Sequence, residues 1–115
     1  MCIRDSHLRS YTYVGDAIDG LVAALDNFYT GEIFNIGTDV TLTTEEGMRT
    51  VEEVIGKPAR IIRVPRRAGD QLKTHANIEK ARRLLGYDPA TTLREGVEKM
   101  VEWYKQYILG KVDFQ

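Results

Sequence analysis

Cysteine is nearly missing from this chain of 115 residues, and what it lacks narrows its function early. The one cysteine, Cys2, cannot close an internal disulfide and suits a reducing, cytoplasmic setting. No apolar run approaches the roughly 20 residues that a membrane-spanning helix needs, so no membrane partner is expected. The start, MCIRDS, has no apolar core of the kind a signal peptide carries. Charge of one sign is missing too. Sixteen basic residues stand against seventeen acidic ones, which removes any bulk attraction to nucleic acid or an anionic membrane surface. His75 is one of two histidines, without Cys, His or acidic partners at metal-ligand spacing, so no metal is expected and a packed or capping role is.

What is present reads as one α/β unit of about three short strands and four helices, since 115 residues allow one domain at most. Residues 9–14 alternate polar with aromatic and β-branched side chains and predict a strand. Asp16 then reads as the cap of a helix with Ile18, Leu21, Val22 and Leu25 on its apolar side. Thr30-Gly31 makes a turn into a second strand, 32–36, which ends at Gly37. Thr43 and Glu46 form a capping box for a helix through Met48, Val51, Val54 and Ile55, closed by Gly56 and Pro58. A third strand is expected over 59–64. Asn77 reads as the cap of a helix with Ile78, Ala81, Leu84 and Leu85, ended by Gly86 and Pro89. Thr92 and Glu95 form a second capping box, and the last helix carries Leu93, Val97, Met100, Val101, Trp103 and Tyr104 on one stripe. Trp103 and Tyr104 are therefore expected to face the core.

The ends read differently. Residues 1–6 back-translate to the end of a transposon-based sequencing adapter and are expected to be a cloning or read artefact, with the natural chain cut upstream of His7. The tail 111–115, KVDFQ, is expected to fray.

The chemistry-bearing stretch is the loop after the third strand, with Arg66, Arg67 and Asp70. Paired planar guanidiniums suit a diphosphate, because fixed forks of donors match phosphate oxygens bidentately. Asp70 could accept from sugar or ribose hydroxyls, or hold an arginine in place. The alternative is an Arg–Asp pair in a solvated turn.

PRRAGD-x3-THANI-EKARRLLGY-x-P, with residues 9–16, GEIFNIG and LREGVEKMVEWY, resembles the C-terminal substrate half of extended short-chain dehydrogenase/reductases, the NAD-dependent epimerase/dehydratase family. Within that family the THANI segment is most similar to the UDP-glucuronate 4-epimerases. The likeness runs from Arg9 to Tyr107. It implies that residues 7–110 are the nucleotide-sugar-binding portion of a Rossmann-type enzyme. Arg9 and Tyr11, from the motif R-x-(F/Y)-x-Y-V, and Arg67 would hold the UDP diphosphate. Asp70 would contact the ribose or order the loop, and Asn35 would serve backbone hydrogen bonding. Ser10 and Gly15 stand where the usual pattern has Asp. The family likeness also implies a UDP-sugar substrate, NAD as the cofactor of the intact parent, and a homodimer.

Two parts of such an enzyme are missing. None of the ten glycines stands at G-x-x-G-x-x-G or G-x-G-x-x-G spacing, the turn that seats a dinucleotide pyrophosphate. The one Tyr-x3-Lys pair, Tyr107 and Lys111, lies past the final helix motif, whereas the family's pair lies upstream of the Arg9 motif. No catalytic residue and no bound NAD are therefore expected on this chain, which should be inactive alone. Sister activities remain open: a 4,6-dehydratase, another 4-epimerase or a decarboxylase. So do a non-catalytic nucleotide-binding module and a ligand-free interaction domain.

Overall fold

Two helices in this fold start where their own side chains satisfy the first free amides. In the computed structural model, which describes residues 2–3, 7–63, 69 and 71–109, Thr43 Oγ1 accepts from Glu46 N at 3.1 Å. The Glu46 carboxylate in turn accepts from Thr43 N at 2.7 Å. Thr92 and Glu95 repeat the arrangement, with Glu95 N donating to Thr92 Oγ1 at 3.3 Å and Thr92 N to Glu95 Oε2 at 2.7 Å. Both are capping boxes, as expected from the spacing. Because the carboxylates are wanted as charged acceptors, both Glu46 and Glu95 are held below the usual carboxylate range. Glu46 owes this first to the Thr43 amide, and Glu95 to the Thr92 hydroxyl.

In chain order the elements are β1 (Cys2–Ile3), β2 (Leu8–Arg9), α1 (Val14–Asp26), β3 (Leu42–Thr43), α2 (Thr44–Ile55), β4 (Ile62–Arg63), α3 (Glu79–Leu85) and α4 (Leu93–Tyr107). β1 and β4 pair in parallel, Cys2 opposite Ile62, and β2 and β3 pair antiparallel, Leu8 opposite Thr43. The free side of β2 meets residues 72–74: Leu8 N donates to Leu72 O at 2.9 Å, and Thr74 N to Leu8 O at 3.1 Å. α2 and α4 pack together, with an Arg94–Glu53 ion pair across their exposed edge. α2 and α3 each close on a glycine in the left-handed region, Gly56 at φ 72° and Gly86 at φ 66°, a conformation that costs other residues energy.

The core lies between α1 and α3. Ile78, Ala81, Leu85 and Tyr87 are buried, with Ala23, Ala24, Phe34, Ile36 and Ala76 packed against them. The Tyr87 hydroxyl reaches into this core and donates to Gly37 O at 2.8 Å, while burial pushes its pKa up.

Several expectations need correction. Residues 32–36 form no strand among the described residues; Asn35 Nδ2 instead donates to Asn77 O at 3.3 Å. α1 begins at Val14 after Tyr13, which makes no side-chain cap. Asp16, two residues further on, spends its carboxylate on Thr91, accepting from its amide at 3.1 Å and its hydroxyl at 2.7 Å. Ile78, not Asn77, occupies the cap position of α3, although Asn77 Oδ1 still accepts from Glu79 N at 3.1 Å. His75 is exposed. Trp103 and Tyr104 are 52% and 38% exposed, so they do not face the core. Val97 is the buried residue of that helix, whose other side packs against no described element closely enough to bury Trp103 or Tyr104. The expected adapter residues 1 and 4–6, the loop residues Arg66, Arg67 and Asp70, and the tail 111–115 lie outside the described residues.

Candidate functional site

Arg9 ends a strand that is bonded on both sides, and this sets its direction. Its guanidinium turns along the sheet: Nη1 donates to Leu8 O at 2.8 Å and Nη2 to Gln71 O at 3.0 Å. Nη2 also stands 3.3 Å from Nδ1 of the buried His7. The second of these bonds spans 62 positions of sequence and ends on the neighbour of Asp70. Arg9 is therefore tied to the far end of the loop that carries Arg67 and Asp70. Within that loop Gly69 sits at φ 86°, a turn conformation only glycine takes easily. No contact of Arg67 or Asp70 is described, so Arg9 and Tyr11 are the predicted site residues whose places can be given.

Tyr11 lies on α2. A Cβ added at Gly47 would stand 3.1 Å from both Cζ and Oη of its ring, so the ring rests where that helix has no side chain. The same tyrosine forms one wall of a cavity of about 530 Å³ between the start of α1 and α4. Tyr13, Leu93, Met100 and Trp103 make most of its apolar lining. The Lys99 ammonium stands 4.6 Å from the Tyr13 ring centroid, a cation–π contact at the mouth. Between the two site residues, Ser10 Oγ is buried and has no hydrogen-bond partner among the described residues. A hydroxyl shut away like this is a cost, and it falls where the usual family pattern has Asp.

Sequence reading missed the glycine seats and an exposed network on α3. Arg82 donates to Asp39 Oδ2 at 3.1 Å and to Glu79 Oε1 at 3.1 Å, and its hydrogen bond holds the Asp39 carboxyl below its ordinary value. That network fastens the 38–39 loop to α3. Among the described residues no three His, Cys, Asp or Glu side chains gather as metal ligands, and no helix is long and apolar enough to cross a membrane.

Residues 4–100 match the family described as GDP-mannose 4,6 dehydratase. The chain is 38% identical over 103 residues to UDP-glucuronic acid decarboxylase 1 of Arabidopsis thaliana, covering 90% of this chain and 23% of that protein. It is 36% identical over 117 residues to UDP-glucuronate 4-epimerase 4 of the same plant, covering 89% of this chain and 26% of that protein. The structure superposes on UDP-glucuronic acid 4-epimerase from Bacillus cereus, solved with UDP-glucuronic acid and NAD, at a TM-score of 0.82 and 31% identity. That match covers 92% of this chain and 34% of the epimerase. The chain thus spans roughly a quarter to a third of the length of these relatives.

The Bacillus cereus epimerase holds NAD, whose pyrophosphate can be set against the start of α1. A pyrophosphate seat needs bare glycine backbone at a helix N-terminus. α1 opens with one glycine, Gly15, and the Tyr13 ring occupies the space beside it, 2.5 Å from where a Cβ would stand. The family match over 97 positions, the two plant relatives and the superposition agree with the α/β architecture. The chain belongs to the GDP-mannose 4,6 dehydratase family, among the NAD-dependent nucleotide-sugar epimerases and dehydratases of the extended short-chain dehydrogenase/reductase type.

Proposed function

We propose that this chain is the part of a cytoplasmic UDP-glucuronate 4-epimerase that anchors the substrate's UDP diphosphate, with Arg9, Tyr11, Arg67 and Asp70 as its contacts. The observation that supports the reading is the Arg9–Gln71 hydrogen bond, which ties the Arg9 motif to the residue that follows Asp70 in the sequence. Together the Arg9 and Arg67 guanidiniums would offer forked donors to a diphosphate, and the Asp70 carboxylate would accept from ribose hydroxyls. Anchoring of this kind lowers the dissociation constant of substrate and transition state alike, so it does not by itself raise the rate of chemistry. NAD, held by residues outside this chain, would supply the oxidation and re-reduction of the sugar carbon when bound.

A second reading, a UDP-glucuronate decarboxylase or a nucleotide-sugar 4,6-dehydratase, is favoured by the 38% identity to the plant decarboxylase and by the family description. Both readings share the nucleotide anchor. Incubating the full-length protein with UDP-glucuronate and NAD separates them. The C4 epimer is expected, whereas release of carbon dioxide and a UDP-pentose would establish the decarboxylase. In the same assay Arg67→Ala should raise KM by about tenfold or more and change kcat little, the signature of lost uniform binding. An unchanged KM would contradict the anchor.

A further inference from the structure

We infer that Gly47 is a positioning residue: its missing side chain sets where the Tyr11 ring and hydroxyl stand. The inference rests on the nucleotide-anchor reading for its functional consequence, but its geometric part stands alone. Gly47 is buried in the first half of α2, four residues after Thr43. Glycine is a poor choice inside a helix, since it costs conformational entropy that alanine does not. The helix has no need of it at either end, because the capping box opens α2 and Gly56 closes it. What the position does provide is room. A Cβ there would approach Tyr11 Cζ and Oη at 3.1 Å and Cε2 at 3.2 Å, closer than a carbon sits comfortably against an aromatic ring.

The crowding has a direction. The three atoms lie at the hydroxyl end of the ring, so an added methyl group would push that end away from α2 by a few tenths of an ångström. Tyr11 is part-exposed and also walls the cavity beside α4, which leaves the ring space to move into. The cost of the substitution therefore falls on the position of the hydroxyl and not on the integrity of the helix. Gly20 makes a useful contrast. A Cβ there would meet Ile36 and Tyr87, which belong to the core cluster.

The test uses the whole chain labelled with 3-fluorotyrosine, the Tyr11 signal being assigned by Tyr11→Phe. Gly47→Ala should move the Tyr11 fluorine resonance, leave thermal stability equal or higher, and weaken UDP binding about threefold to tenfold, the scale of a compromised contact to a charged group. In a Tyr11→Leu background, Gly47→Ala should leave UDP affinity unchanged and raise stability. This double variant also covers the case in which the single one fails to fold. An unmoved Tyr11 resonance, or equal losses of affinity with and without the Tyr11 ring, would overturn the assignment. If the wild-type chain does not bind UDP, the anchor reading fails, and the fluorine signal then decides the Gly47 geometry by itself.

Discussion

α1 and α4 are similar in length, yet they are built on opposite principles. α4 carries its own start in sequence, the Thr92–Glu95 box, and buries only Val97. α1 has no side-chain cap and no basic residue in its last turn. Its start is held from outside, by Asp16 reaching Thr91 across 75 positions, and its middle is seated on Ile36 and Tyr87 through the bare backbone of Gly20. Val14, Ile18, Leu21 and Leu25 stay exposed along it. A helix that caps its own start, as α4 does, still takes its place from packing, here on α2. A helix that does not must be held by tertiary contacts, and α1 depends on a handful of them.

Substitutions can break that contrast. Gly20→Val should have the largest effect, about 2 kcal/mol of lost stability in denaturant unfolding, because its side chain must enter space held by Ile36 2.9 Å away. Asp16→Ala should follow at about 1–2 kcal/mol, with early loss of amide-exchange protection in α1 while α4 keeps its own. Equal loss in both helices would show that Asp16 does not act on α1 in particular. Thr92→Ala should cost about 1 kcal/mol and fray α4 alone.

Acid sharpens the same comparison. Glu46 and Glu95 are held below the ordinary glutamate range by their hydrogen bonds to Thr43 and Thr92, so the stability they contribute is present above that range. It is lost as pH falls through the lower, folded values. A Glu46→Gln, Glu95→Gln variant can still cap through its amide oxygens, and its stability should fall less steeply than the wild type's below about pH 4.5. Parallel acid-unfolding curves would remove the boxes as the source.

Much of this was legible in the residues, and the reason is locality. Both capping boxes, the glycine that ends α3 and the four helices follow from neighbours three or four positions apart. Asp16 looks like a helix cap, a short acidic residue before an apolar stripe, and nothing near it in the sequence announces Thr91. Residues 32–36 carry the β-branched and aromatic side chains of a strand, but a strand needs a partner, and in the described fold the Asn35 side chain donates to the carbonyl of Asn77 instead. Trp103 and Tyr104 continue the apolar stripe of α4, but the described fold leaves both exposed. At the site, Arg9 and Tyr11 came from resemblance to a family motif. Gly47 had no local signal, since a glycine inside a helix reads only as a weakness until the ring it accommodates is seen.

The central claim is that the edge joining Arg9 to residue 71 is built for a nucleotide diphosphate. Calorimetric titration of UDP into the chain tests it most directly, with Arg9→Ala and Arg67→Ala beside Arg49→Ala, which removes the same charge from the exposed face of α2. The account predicts saturable binding that weakens about tenfold or more in the first two variants and stays unchanged in the third. Equal affinity in all three variants, or no saturable binding by the wild type, would contradict it.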